Sequence, residues 1–557
     1  MKRKIELSYF KLWFAMPALL LCFIISCSKK LDINVPEPVP NFWDTTGNEI
    51  TSNLNYDVVV YGGTPAGIMA AIEVSKSGKS VILLNSSEGA LGGMITNGLG
   101  NTDVLRPQTI GGLSRQFFRR IKEYYLRPEN WFAMNSSQYN FFGLSTDIMT
   151  RFEPRAAQFV IKDLIQENHI PVIHNDRLKW DQGVVKTGSN IEYIIMESGK
   201  KIKGKMFIDA SYEGDLMAKA GVSYTVGREG SAKYGERWNG IVRQSNLNNN
   251  QLPLGIKKFG KAIVYPILAA NGTGDNKIQA YCYRMCLTDV PENKIDFPKP
   301  EGYDEEDYTI LFEYLNNYKN IRFFDLSMMP NRKTDSNNSG PFSTDYVGEN
   351  YNYPEATYGE RAEIRAKHKR YQQGLMWTLA NHPKIPERIR KDTQRWGLAK
   401  DEFPDNGHWP YQLYIREARR MIGSYVIVEN NSLGKVTTEY SVGFGDYAMD
   451  SHIVQRFIDE NGNIQNEGNV MVNPPSPYKI DYRAILPKEK ECTNLLVPVC
   501  LSASHIAYGS LRMEPVFMTL GQASACIAIL AIAQGKTIQE INYDDLKQVM
   551  IEREMVF

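Results

Sequence analysis

The amino-acid sequence predicts an α/β protein, a parallel sheet wound with helices and interrupted by an inserted α+β domain. Three observations carry this reading. Two short apolar, β-branched runs, Tyr56 to Tyr61 and Ser80 to Asn85, flank one helical stretch and make a βαβ unit. Two further apolar runs, Met206 to Asp209 and Leu495 to Leu501, have the character of strands that return to the same sheet from far along the chain. Between about Asn239 and Val472 the sequence turns polar and asparagine-rich, which breaks that pattern.

The bulk numbers fit this class. With 557 residues, 43% apolar and 23% charged, the chain has enough material for two or three domains' worth of core. A formal net charge of +1 argues against recruitment of nucleic acid or a membrane surface by bulk electrostatics.

Taken in order, residues 1–27 read as a lipoprotein signal peptide. Lys2, Arg3 and Lys4 precede an apolar stretch that ends at Ile24-Ile25-Ser26-Cys27, a run resembling a bacterial lipobox with Cys27 as the acylated residue. Residues 28–54, with Pro36, Pro38 and Pro40 alternating, read as a flexible tether. The expected location is the cell envelope, periplasm-facing, with the lipid as the sole membrane contact. Five cysteines remain after Cys22 and Cys27. No Cys-x-x-Cys is present, and neither iron–sulfur nor metal-ligand spacing appears. Cys282 and Cys286, four apart, read as neighbours on one helix face or as simple buried thiols.

The chemistry concentrates after residue 55. Strand Tyr56 to Tyr61 runs into Gly62-Gly63-Thr64-Pro65-Ala66-Gly67. A helix follows from Pro65 to Ser77 with Gly78 at its stop, then strand Ser80 to Asn85. A glycine turn in that setting marks a Rossmann-like, dinucleotide-binding unit. The helix start offers amides and a positive dipole end to a pyrophosphate, and small residues allow close backbone approach. Thr64 stands where the usual fingerprint has its second glycine. Asn85 stands where an acidic residue normally holds the adenosine ribose, and its amide can still bond a hydroxyl. The bare segment Leu91-Gly92-Gly93-Met94 through Gly100 would let a flat ring lie against backbone. Strand Met206 to Asp209 enters the small-residue turn Ala210-Ser211-Tyr212-Glu213-Gly214-Asp215. After strand Leu495 to Leu501, a loop from Ser502 to Glu514 leads to a helix opened by Pro515 and closed by Gly535. Its start is a second positive dipole end.

Tyr61 to Gly67, Leu91 to Met94, Phe207 to Asp215, Ser502-Ala503-Ser504-His505 and Arg512-Met513-Glu514-Pro515 together resemble one family. It is the FAD-dependent oxidoreductases grouped with the heterodisulfide reductase-like flavoproteins, bacterial members of which are sometimes labelled xanthan lyase. The match runs from about Tyr56 to about Gln534. The resemblance implies a Rossmann-like FAD-binding domain in two parts, 55–238 and 473–540, with an inserted α+β substrate or cap domain at 239–472 and a tail at 541–557. It implies non-covalent FAD held by Gly62, Gly63, Thr64, Pro65, Ala66 and Gly67, by Gly92, Gly93 and Met94, and by Ala210, with ribose recognition at Asn85 in question. The expected activity is oxidation or reduction of a small organic substrate, a carbohydrate hydroxyl or keto group among the candidates. The electron acceptor is left open. An envelope electron-transfer flavoprotein and a non-enzymatic glycan-binding lipoprotein are the competing readings.

Flavin chemistry on alcohols or amines calls for a base and a cation or donor near the substrate. Of seven histidines, His505 sits in the segment before the last helix with Tyr508 and Arg512 close by, and His452 follows Asp450 and Ser451. Both are candidate bases, and each can equally be an ordinary hydrogen-bonded core histidine. Arg512 is a candidate for holding an anionic group or the charge of reduced flavin, or for a core ion pair with Glu514 or Asp450. In the middle region a helix is expected from Glu360 to Leu379. Arg416, Arg419 and Arg420 read either as a solvated helix face or as an anion-contacting patch.

Overall fold

The computed structural model describes residues 53–557 apart from 87, 88, 90, 144, 145, 244–249 and 318–322, together with Ile33 and Val35. The proposed leader and its acylation site at Cys27 lie outside the described residues. In the tether, Ile33 packs against Phe132, Ala133 and Val290, so this point of the spacer touches the body rather than standing free.

The sheet forms around β1 (Asn53–Tyr61), which starts three residues earlier than its apolar run because Asn53 to Tyr56 still pair with the neighbouring strand. Helix α1 (Pro65–Lys76) returns the chain to β2 (Val81–Asn85), parallel to β1 in the register Val58 to Val81. Helices α2 (Gly112–Leu126) and α3 (Pro154–Glu167) precede β3 (Val172–His174). Then come β4 (Val184–Thr187), β5 (Asn190–Ile195) and β6 (Lys201–Asp209). The order across the sheet is β3-β2-β1-β6-β5-β4. β1, β2, β3 and β6 run parallel, and β4 and β5 form an antiparallel edge. Val58, Val59 and Val60 are fully buried, as a central parallel strand covered on both faces requires.

Beyond β6 come α4 (Asp215–Lys219) and β7 (Tyr224–Thr225). The polar middle folds as a five-stranded antiparallel sheet of β8 (Met285–Thr288), β9 (Lys294–Ile295), β10 (Ser327–Met328), β11 (Lys333–Ser336) and β12 (Gly397–Ala399). With it go α5 (Thr309–Asn317), α6 (Tyr358–Asn381) and α7 (Glu387–Gln394). The expected long helix is α6, opened by a capping box between Thr357 and Glu360. Cys286 lies in β8 and Cys282 in an isolated bridge to Tyr414, so no helix face joins them. Both are buried free thiols.

β13 (Arg420–Met421) pairs with β7. After α8 (Glu429–Ser432) come β14 (Ser441–Gly445), β15 (Met449–Ser451), β16 (Gln455–Ile458), β17 (Ile464–Glu467), β18 (Val470–Val472) and β19 (Tyr478–Asp481), all in two-stranded pairs. The chain then rejoins the parallel sheet at β20 (Leu495–Leu496), beside the carboxyl half of β6. The expected strand to Leu501 is thus two residues long. The segment expected as a loop contains a short helix, α9 (His505–Leu511), capped by Ser504. Helix α10 (Glu514–Gln534) closes at Gly535 in the left-handed conformation, and α11 (Tyr543–Glu552) follows. α10 is long and apolar enough to cross a membrane but is mostly buried inside the protein, as a core helix. It crosses α1 closely enough that a Cβ on Gly521 would lie 2.1 Å from the Ala66 carbonyl.

Candidate active site

The turn between β1 and α1 is built by exclusion of side chains. Gly62 adopts φ +112°, and a Cβ there would lie 2.5 Å from the Ser211 amide. A Cβ on Gly67 would lie 2.0 Å from the Gly62 carbonyl oxygen. Thr64 is the departure from the fingerprint, and its side chain has its own use. The hydroxyl donates to the Ala210 carbonyl at 2.7 Å and accepts from the Gly67 amide at 3.3 Å. It therefore caps α1 and ties the turn to the end of β6, while Pro65 supplies the preset first helical residue. The Ala210 amide donates to the Tyr61 carbonyl, completing the joint.

Asn85 is buried at the end of β2. Its amide donates to the Gly89 carbonyl at 3.2 Å, and its Oδ1 faces Gly63 so closely that a Cβ there would be 2.5 Å away. The bare loop meets the same turn, the Gly92 amide donating to the Gly63 carbonyl at 2.8 Å. Gly93, at φ +50°, leaves room for Tyr212, whose hydroxyl accepts from the Met94 amide at 3.0 Å and donates to Glu514 Oε1 at 2.6 Å. Burial pushes the Glu514 carboxyl up to about 8 against the pull of that hydrogen bond, and its Oε2 has no hydrogen-bond partner among the described residues. Tyr212 and Glu514 stood inside recognised motifs, but no local pattern pairs residues 302 positions apart.

A cleft of about 790 Å³ opens over this turn. Gly62, Gly63, Thr64, Ser86, Gly93, Ser211 and Tyr212 line one side, and Tyr353, Tyr358, Arg361 and Arg365 from the middle of the chain line the other. The residues fit FAD. A cradle that no side chain could share meets a helix start and an open cleft, with Arg177 on its wall. A second cleft, about 350 Å³, lies at the start of α10 between Met513, Pro515, Val516 and Thr519 and the segment Asp103 to Ile110, with Phe444, Asp446 and Tyr447 opposite. The residues either side of Glu514 line this cleft, while its partner Tyr212 lines the first.

Around the start of α10 lies a dense set of charges. Arg512 donates to the Tyr414 hydroxyl at 2.8 Å and to Asp450 at 3.3 Å, so of the ion pairs expected for it the one with Asp450 forms. His452 sits between Asp345, 2.9 Å from Nδ1, and Asp450, 3.5 Å from Nε2. Burial opposes charge on Asp450, but His452 and Arg512 hold its carboxyl down at about 2. Arg284 grips Asp335 with two bonds of 2.8 and 2.7 Å. Asp103, which sequence reading missed, lines the second cleft within reach of these groups. Its signal was its place three residues beyond the glycine loop.

His505 opens α9, not a loop, and is buried. Its Nδ1 lies 2.8 Å from Glu417, its Nε2 lies 3.1 Å from the Ser451 hydroxyl, and it lines neither cleft. The structure thus brings His452 and Arg512 together through Asp450 and sets His505 on the far side of Ser451. The arginine cluster is neither a solvated face nor a free anion patch. Arg416 pairs with Asp345, Arg419 with Asp215 and the exposed Glu355, and Arg420 with Glu229 and Glu417, the three arginines themselves being buried. Glu153, Asp401 and Glu402 converge closely enough to hold a metal, but Lys333 occupies their centre at 2.5–2.8 Å.

No curated protein matches the chain. Among solved structures, L-proline dehydrogenase from P.horikoshii is 17% identical over 32% of this chain and 59% of its own, with a TM-score of 0.23. L-amino acid deaminase from Proteus vulgaris is 15% identical over 34% and 64%, at 0.24. Thioredoxin reductase from Streptococcus pyogenes is 19% identical over 29% and 36%, at 0.17. Each is matched over less than two thirds of its length. The family model for FAD dependent oxidoreductases matches residues 57–550, nearly all of the described chain, and includes both the glycine turn and the helix that faces it. The protein therefore belongs to the FAD dependent oxidoreductase family.

Proposed function

We propose that the protein oxidises or reduces a small organic substrate, a carbohydrate hydroxyl or keto group, by hydride transfer to or from FAD. The observation that carries this reading is the second cleft at the start of α10, which lies next to the cofactor cleft where Tyr212 bonds Glu514. Bound FAD supplies a two-electron acceptor or donor. The protein's own groups do the rest. The positive end of the α10 dipole favours electron-rich groups beside Glu514 and Pro515. Arg512, locked by Tyr414 and Asp450, sets a fixed cation behind them. Val104, Ile110, Phe444 and Val516 exclude water from one wall of the substrate cleft.

The test is anaerobic titration of the FAD-loaded protein with a panel of neutral sugars, sugar acids and amino acids. Loss of the flavin absorbance with a sugar is expected. Bleaching by amino acids alone would refute the carbohydrate reading, and failure to take up FAD would refute the whole. The electron acceptor is proposed to lie in the envelope, because the leader is read as a lipid anchor. Cys27→Ala should move the protein from the membrane to the soluble fraction.

A further inference from the structure

Among the carboxylates gathered at the start of α10, Glu514 is held by the Tyr212 hydroxyl, and one of the aspartates is handled differently from the others. Asp335 is gripped by Arg284, Asp345 by Arg416 and His452, Asp450 by Arg512 and His452, and Asp446 by Arg106. Asp103 makes no hydrogen bond or ion pair with any described residue, yet it is half-buried and lines the second cleft. The groups that face it are Arg284, Arg512, Asp335 and Asp450, with Tyr414 and Tyr447 beside them. Among the described residues no lysine or arginine lines that cleft, and its remaining walls are mostly apolar.

We propose that Asp103 is the acid–base residue of the substrate cleft and that the substrate presents to it an uncharged carbinol rather than an anionic group. This rests on the reading of the second cleft as the substrate site. The facing charges are already paired with one another, Arg284 with Asp335 and Arg512 with Asp450, so a substrate proton is the hydrogen-bonding need left for the Asp103 carboxylate to meet. In the oxidising direction the carbinol O–H bond breaks and its proton passes to Asp103. The C–H bond breaks, and bound FAD would take its electron pair as hydride. The substrate loses two electrons and becomes a carbonyl, and Asp103 returns the proton to water at the cleft mouth. Burial pushes the Asp103 carboxyl up to about 6, helped by Asp335 and Asp450 and opposed by Arg284 and Arg512. A carboxylate raised that far is a better proton acceptor and is still ionised at neutral pH. The arginines nearest the cleft are already paired, Arg106 with Asp446, Arg284 with Asp335 and Arg512 with Asp450, which disfavours a carboxylate or phosphate at the reacting end.

The experiment compares the FAD-loaded wild type with Asp103→Asn and Asp103→Ser. The first readout is the flavin absorbance spectrum from pH 4.5 to 8, which needs no substrate. The wild type should show a one-proton transition centred near 6, and both variants should lose it while keeping full FAD content and melting temperature. The second is anaerobic bleaching by neutral methyl pyranosides against the matching uronates. The neutral sugars should react, and the variants should be slowed about 100-fold or more with a flattened pH profile. A transition that persists in both variants, a wild type with none, variant rates within threefold of wild type, or faster bleaching by uronates would each overturn the proposal. A protein that takes up no FAD would overturn the flavoenzyme reading as well, and that result is told apart by the missing flavin bands.

Discussion

At Thr64 one hydroxyl does the work that a glycine in the usual fingerprint leaves to backbone alone, capping α1 and bonding to the end of β6. Gly67 has no such latitude, since its Cβ would strike the Gly62 carbonyl. Gly67→Ala should therefore open the turn, and the purified variant should carry less than about a tenth of the wild-type FAD while keeping most of its secondary structure. Full flavin occupancy would show that the turn is not the cofactor's seat. Glycines of this kind are legible in sequence because their neighbours are local. Asp103 and Lys333 are not, because what gives each its character comes from distant residues. Lys333 is completely buried among Glu153, Asp401 and Glu402, with Arg155 also on Asp401. Lys333→Met should destabilise the fold by about 3–5 kcal/mol in denaturant unfolding, because three buried carboxylates lose their central cation. The same cluster gives a pH signature. Burial pushes Glu402 up to about 7, with Lys333 pulling it down and Asp401 and Glu153 pushing it further up. The folded state thus holds that proton more tightly than the unfolded chain. This contribution is fully present below the unfolded carboxylate value and is lost as pH rises toward about 7. In Lys333→Met the loss should extend to higher pH.

The elements that the sequence announces are those with long, uniform patterns. β1, α1 and β2 lie within a few residues of expectation, as do α6 and α10, because a buried parallel strand and a punctuated helix both leave local marks. The misses are short. α9 spans seven residues and shows too little periodicity to read. The strands of the antiparallel sheet are two to four residues long, below the length at which alternation can be recognised. The arginines at 416–420 looked like a helical face because charge spacing alone does not show that each has a carboxylate from elsewhere in the chain. What α10 contributes depends on its distance from α1. Gly521 sits against the Ala66 backbone, so Gly521→Leu should force the helices apart. The expected cost is about 1–3 kcal/mol of stability, with weaker FAD retention because the glycine turn and the start of α10 would no longer be held in register. A variant with unchanged melting temperature and flavin content would show that the crossing has slack.

Across the whole molecule, the polar middle and the nucleotide-binding sheet are joined by a buried charge knot. Asp215, at the start of α4, receives two bonds from Arg361 of α6, at 2.6 and 2.9 Å, and one from Arg419 at 2.8 Å. Arg361 also donates to the Tyr353 carbonyl, and Tyr353 in turn donates to Glu213. Asp215 directly follows the turn Ser211 to Gly214, part of which lines the cofactor cleft, so the knot sets the position of that wall from more than a hundred residues away. Arg361→Met removes the bidentate partner and leaves Arg419 alone on a buried carboxylate. The expected cost is about 3 kcal/mol in urea unfolding, together with an FAD dissociation constant raised by about tenfold. The pH dependence separates this from simple loss of packing. Burial opposes the charge on Asp215, but Arg361 and Arg419 outweigh it and hold the carboxyl below its usual value. The pair therefore stabilises the fold above the unfolded carboxylate range and ceases to do so as pH falls through the lowered folded value. In Arg361→Met that acid-side loss should shrink, so wild type and variant should converge in stability at low pH and diverge at neutral pH. Parallel curves across the whole range, with FAD affinity unchanged, would mean that the knot packs the two halves together without shaping the cleft between them.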